Sequence, residues 1–424
     1  MKQTDSQYRQ LLELLRQELI PATGCTEPIA IAYAAAVAAR ELGVRPSRVA
    51  VQLSGSIIKN AKSVTIPNTN GLKGIPAAIA AGIIAGDPER KLEVISYIRE
   101  DQKAEIVEYI AACSMEVTVC DGRLFEIILE VFAGKSSASV HIVDSHTNIV
   151  SVQKDDRLLA ETNRLPGDSE SRAEPVCLSV RTALDFADSL DISDVKELID
   201  NQIACNSAVS QEGLEQSYGA GVGKTCLTLC PPDSLFGGVI AAAASASDAR
   251  MGGCDLPVYI TAGSGNQGLA SSMPVIEYAR RAGIQGDILY RALAFSTLVT
   301  VHQKNFIGKL SAFCGAVSAG AASAAAIAYL NGGGYDLISH TIVNSLAITS
   351  GMVCDGAKPS CAAKIAMAVG AGLLGYEMSL RNRQFAEGEG LVAADVEQTI
   401  ENIGCLGKEG MKQTNQKILQ MMLQ

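Results

Sequence analysis

Between Leu310 and Tyr335 the chain carries no charged side chain, and the run is mostly alanine, serine and glycine with few leucines, isoleucines or phenylalanines. By length alone such a stretch could cross a membrane. Its small residues gain little from lipid, so it reads as a buried helix whose neighbours come close enough for backbone contact to replace missing side-chain volume. The same economy extends along the chain, where aromatics make up 4% of 424 residues and tryptophan is absent. A fold of this kind needs several closely packed helices, and the length allows two or three domains.

Local patterns divide the chain. Residues 6–20 place Tyr8, Leu11, Leu12, Leu15 and Leu19 at helical spacing, and Pro21 stops the run. Ile29 to Leu42 predicts a second helix, with Thr26 or its neighbours as cap and Glu27 and Pro28 in the first turn. From about Arg45 to Arg157 the segments VAVQL, KLEVISYI, MEVTVC, LFEIILEVF, SVHIV and NIVSVQ predict strands. Asp121-Gly122 signals a two-residue hairpin and hence an antiparallel sheet. Helices are expected at Ile75–Ala85 and near Gln102–Ala112. A polar linker is expected over about 155–174, around Asn163, Pro166, Gly167 and Asp168, followed by long helices from about Val176. The class is therefore α+β, mostly helical with a sheet domain.

The formal charge of −10, with no lysine or arginine cluster, argues against a nucleic-acid or anionic-membrane surface. The polar start MKQTDSQYRQ lacks the apolar core of a secretory signal, so the expectation is a cytoplasmic protein. The small-residue helices leave room for a homodimer. Twelve cysteines in such a chain are expected to be thiols, most of them core filling.

A few motifs could carry chemistry. YGAGVGKTC at 218–226 lacks the first glycine of a phosphate loop. In TAGSGNQG, at 261–268, Gly263, Gly265 and Gly268 would let backbone N–H groups reach a ligand, while Ser264, Asn266 and Gln267 add donors suited to a carboxylate. A capped loop is the alternative. Cys226 and Cys230 sit in an apolar stretch and read as packing. Cys314 and Cys361 lie close to helix starts, which favour thiolates and so metal ligation, and Cys354 accompanies them. Cys25, in PATGCTEP, is framed by turn formers and a carboxylate at another helix start, which makes it a reactive thiolate candidate. Lys59 and Asn60 would face the cleft, although Lys59 could equally be a solvated strand end. Pyridoxal phosphate on Lys59 or Lys224 would leave the three late cysteines unexplained.

PATGCTEP, SGSIIKNAKSVTIPNTNG (54–71), TAGSGNQG, the Cys314 segment and CDGAKPSCAAK occur in order, and together they resemble the L-cysteine desulfidase family, relatives of the iron-sulfur L-serine dehydratases. The resemblance runs nearly end to end. It implies a [4Fe-4S] cluster on Cys314, Cys354 and Cys361, Cys25 as the base, and β-elimination from a small amino-acid substrate, L-cysteine, giving sulfide, ammonia and pyruvate. Cys405, in NIGCLG, could be an occasional fourth ligand, but one more cysteine is usually just buried. The implied organisation is N-terminal helices at 1–44 packing on the catalytic domain, a strand-rich domain at 45–165, and a helical iron-sulfur domain at 175–424. An iron-sulfur L-serine dehydratase, an iron-sulfur sensor and an amino-acid-binding protein are the rival readings.

Overall fold

The computed structural model describes residues 1–120, 122–155, 157–161, 177–231, 234–308 and 310–423. Among these residues the strands are β1 (Ile20–Thr23), β2 (Arg48–Ser54), β3 (Ser114–Cys120), β4 (Glu126–Ala133), β5 (Ser136–Val143), β6 (Ile149–Lys154), β7 (Arg157–Glu161) and β8 (Pro257–Ile260). β2 to β7 form one sheet in the order β3-β2-β4-β5-β6-β7, while β1 and β8 pair antiparallel on their own. The α+β reading holds.

Alternation decides which sheet face is buried. Val49, Val51 and Leu53 of β2 stand opposite Val131, Leu129 and Ile127 of β4, and these meet Ala138, Val140 and Ile142 of β5. All nine are buried, under the helix Thr26–Leu42. The sheet is mixed, not antiparallel, because β2 inserts between β3 and β4 and pairs parallel with β3. The hairpin expected at Asp121-Gly122 therefore does not form; Asp121 itself lies outside the described residues. KLEVISYI is not a strand either. It begins in a 3-10 segment, Pro88–Glu93, and buries Leu92, Val94 and Ile95 through turns. β7 falls at the start of the expected linker, while Asn163, Pro166, Gly167 and Asp168 lie outside the described residues.

The uncharged run forms the helix Gly315–Leu330, buried at every position from Ala316 onward. It packs against the helices Gly265–Ala282, Asp287–Ile307, Tyr335–Thr349 and Ser360–Leu380. A Cβ on Gly320 would come within 2.7 Å of the Ala368 backbone, and one on Gly372 within 2.6 Å of the Gly320 carbonyl oxygen, so these two helices touch backbone to backbone. Ser360–Leu380 is, among the described residues, the helix long and apolar enough to cross a membrane by length and composition. The N-terminal residues are divided between the two regions: Ser6–Glu18 packs on the helices Val180–Ser189 and Asp287–Ile307, whereas Thr26–Leu42 lies on the helix Gly74–Ala85 and the sheet. One contiguous core runs through both.

Candidate active site

β1 delivers the motif PATGCTEP to the cavity by pairing Pro21 with Tyr259 and Thr23 with Pro257. The turn after it depends on Gly24, which has φ +74° and would place a Cβ 2.4 Å from Pro67. Cys25 then caps the helix Thr26–Leu42, its side chain 4% exposed. Its Sγ donates to Glu27 Oε2 at 3.3 Å, and Asn60 Nδ2 donates to Glu27 Oε1 at 2.8 Å. Thr26 Oγ1 lies 3.1 Å from the Glu27 carboxylate and 3.3 Å from the Gly263 carbonyl oxygen, so its one hydrogen has an acceptor in this motif and another in TAGSGNQG.

Burial works against charge on both Cys25 and Glu27, with opposite outcomes. For Cys25, burial and then the Glu27 carboxylate push the thiol well above its ordinary value, and Arg250 offsets only part of this. For Glu27, burial is outweighed by His146, the Asn60 amide, its own backbone N–H and the Cys25 thiol, which together hold the carboxyl below its usual range. The resting pair is an ionised Glu27 accepting from a neutral Cys25. The thiolate expected from the helix start does not arise in the free site, because desolvation and a neighbouring carboxylate outweigh a helix dipole.

The three late cysteines are brought together by backbone pairing. Cys314 N–H donates to Met352 O at 3.0 Å, Cys354 N–H donates to Ala312 O at 2.6 Å, and Phe313 bridges Val353. Cys314 caps Gly315–Leu330, and Cys361 lies in the first turn of Ser360–Leu380. The loop between Cys354 and Cys361 is tied down by Asp355, which binds both Lys358 and Lys364, and by Lys364 Nζ on Val353 O at 2.7 Å. Gly356, at φ +96°, leaves 2.3 Å between an added Cβ and the Lys59 carbonyl oxygen. Burial pushes the Cys314 thiol up to about 12, with Cys354 and Cys361 adding to the rise; burial and then Cys354 raise the Cys361 thiol.

Cys25, Glu27, Cys314, Cys354 and Cys361 line one cavity of about 560 Å³. No group of three His, Cys, Asp or Glu side chains among the described residues is arranged to hold a single metal ion. A cluster makes a different demand, because each thiolate takes its own iron. Two raised thiols, Cys314 and Cys361, lining one cavity with Cys354 and with Lys364 opposing the rise of both, are a donor set that metal binding would stabilise as thiolates. The residues present fit a cluster. Cys405 stands apart: it is exposed at the end of the helix Val396–Cys405 and does not reach the cavity.

TAGSGNQG also lines the cavity, where β8 runs into the helix Gly265–Ala282 and Ser264 Oγ accepts from Gln267 N–H at 3.5 Å. Ser264, Asn266, Gln267 and Asn60 all line the cavity. The glycines serve separate ends. Gly268 faces the Tyr259 carbonyl oxygen, 2.1 Å from an added Cβ, so it packs the helix on β8 and does not free an N–H for a ligand. Lys59 is neither a strand end nor a cavity group. It is 1% exposed in the helix Gly55–Ala61, and its Nζ donates to Asn415 Oδ1 at 2.7 Å and to Cys354 O at 3.4 Å, bracing the cysteine loop from behind.

The sequence reading missed Arg250, Lys304 and His146, which line the cavity, and gave Glu27 only a place in a helix turn. Burial draws the Lys304 ammonium below its ordinary value, against the pull of Cys354 and Cys314. The available signal was a lone cation closing a small-residue helix, as in AAAASASDAR. The near-phosphate-loop YGAGVGKTC is explained: Asp248 accepts from Gly223 N–H at 2.8 Å, so a carboxylate of the protein already occupies that helix start.

Residues 89–420 match the family described as serine dehydratase alpha chain. Along the whole chain there is 50% identity over 424 residues to a UPF0597 protein of Desulfitobacterium hafniense, covering 100% of this chain and 98% of the other. A UPF0597 protein of Finegoldia magna is 45% identical over 420 residues, covering 97% and 99%. One of Bacteroides thetaiotaomicron is 34% identical over 426 residues, covering 99% and 98%.

Proposed function

Because this chain belongs to the serine dehydratase alpha-chain family, we propose that it is a lyase that β-eliminates sulfide from L-cysteine, with a [4Fe-4S] cluster on Cys314, Cys354 and Cys361 and Cys25 as the base at Cα. The observation that carries the reading is the meeting of Cys25 and its Glu27 partner with those three cysteines in one cavity. When bound, a cluster held by three protein thiolates supplies an iron with an open position, a Lewis acid that stabilises negative charge on the substrate.

The chain's own groups then handle the protons. Glu27 Oε2, 3.3 Å from Sγ, accepts the Cys25 proton, and the thiolate so formed takes the proton from Cα. The free site makes the first transfer uphill, since the thiol is raised and the carboxyl lowered. A substrate ammonium entering the cavity favours the thiolate and offsets that cost. The Cα–H electron pair becomes the Cα–Cβ double bond as the Cβ–S bond breaks and sulfide departs. Aminoacrylate tautomerises and hydrolyses to pyruvate and ammonia.

The family description supports L-serine as a second reading, which differs only in the leaving oxygen. Anaerobically reconstituted protein given each amino acid separates them. Sulfide and pyruvate from L-cysteine at a kcat/KM well above that for L-serine is expected, and a preference for L-serine would reassign the substrate. A loaded cluster with no pyruvate from either would remove the lyase.

A further inference from the structure

Arg250 closes the buried helix Leu235–Met251 and is 3% exposed, yet among the described residues no ion pair joins it to a carboxylate, and its Nε has no hydrogen-bond partner. A buried guanidinium without an anion is costly, and a ligand that brings one is the common reason to keep it. Its position is specific. The guanidinium lies against Gly265, the first residue of an eighteen-residue helix, where an added Cβ would sit 2.3 Å from Nε and 2.5 Å from Cζ. At that helix start the N–H groups of Gly265 and Asn266 have no backbone partner among the described residues, and the buried Oε1 of Gln267 is unpartnered too. Arg250 and this helix end both face the cavity that holds Cys25.

We infer that Arg250, with the N–H groups opening the helix at Gly265, is the anchor for a free α-carboxylate, and so restricts this site to amino acids whose carboxyl group is unmodified. This rests on the proposed lyase reading for the identity of the ligand. A planar guanidinium meets both carboxylate oxygens, and a helix N-terminus adds donors with a favourable dipole. Arg250 and Cys25 line the same cavity, so a carboxylate held by the anchor leaves its Cα in the space the base faces. Neutralising that carboxylate also makes Cα–H easier to ionise. Amides, esters and decarboxylated amines lack the anionic oxygen pair. Gly265 is then required because any side chain would displace the guanidinium.

The test uses cluster-loaded protein and L-alanine, which has the carboxylate but no leaving group, with L-alaninamide as the blocked counterpart, both followed by calorimetry. Wild-type protein should bind L-alanine and not L-alaninamide. Arg250→Gln should weaken L-alanine roughly 10- to 150-fold, the loss expected for hydrogen bonds to a charged group. Arg250→Lys should recover part of it, and Gly265→Ala should weaken binding while keeping the charge, which preserves the test if Arg250→Gln does not fold. Cysteamine should give no sulfide. Equal binding of L-alanine by wild type and Arg250→Gln, equal binding of the amide, or no carboxylate-dependent binding by wild type would overturn the anchor. Carboxylate-dependent binding in protein that turns over neither cysteine nor serine would keep the anchor and remove the lyase. Turnover with an unchanged KM in Arg250→Gln would do the reverse.

Discussion

Cys25 and Glu27 compete for charge in one buried setting, and the carboxylate wins in the free site. If Cys25 is the base, Cys25→Ser should leave the cluster absorbance intact and lower kcat by about 10²- to 10⁴-fold; unchanged turnover would remove Cys25 from that role. Glu27 makes a separate prediction about pH. Its folded pKa is depressed, so its contribution to stability is complete above the ordinary carboxylate value of about 4.3 and is lost as pH falls through the lower folded value. In Glu27→Gln the melting temperature should therefore fall less steeply on acidification than in wild type, and parallel acid limbs would refute the assignment. Cys25 was legible because turn formers around a cysteine are a local signal. Glu27 was not, since Asn60 and His146, which set its charge, arrive from elsewhere in the chain.

Each chemical motif proves to be a helix start. Cys25, Ser264 and Cys314 are N-caps, and Cys361 lies in a first turn, so four positive helix ends surround the cavity. What fixes their mutual positions is close helix packing. Gly82 would place a Cβ 2.2 Å from the Ala32 carbonyl oxygen, on the helix that Cys25 caps. Gly82→Ala should cost about 1–3 kcal/mol by overpacking, read as a lower melting temperature; an unchanged melt would mean that these helices can separate freely. Helices with clear ends were legible to within a few residues: Ile75–Ala85 is observed as Gly74–Ala85, and Gln102–Ala112 as Glu100–Ala112. KLEVISYI and the Asp121-Gly122 hairpin misled because β propensity and turn chemistry are local, while the sheet places β2, from far earlier in the chain, between β3 and β4.

Across the molecule, protection should follow burial. In hydrogen exchange the helix Gly315–Leu330 should be among the slowest segments, and β7 and the C-terminal helix Lys412–Leu423, which have no fully buried residue, among the fastest; rapid exchange in Gly315–Leu330 would contradict the packing described. The C-terminal helix is nonetheless tied to the site. Asn415 pairs with Lys59, and Gly55 leaves only 2.3 Å between an added Cβ and Leu419. Asn415→Ala leaves a buried ammonium short of a partner and should lower the melting temperature by the equivalent of about 1–3 kcal/mol; no change would mean that Lys59 is held by Cys354 O alone. None of this convergence was legible in local patterns. The ordered set of five motifs pointed to it only through a family likeness. The pairing of Ile20 with Ile260 also sets a schedule. On the ribosome, the strand that leads into Cys25 emerges first and waits roughly 240 residues for its partner, an interval of roughly ten to fifty seconds at ordinary rates of synthesis. Cys361 follows later still, so the proposed cluster could assemble only once most of the chain has emerged, and until then these thiols would be open to oxidants.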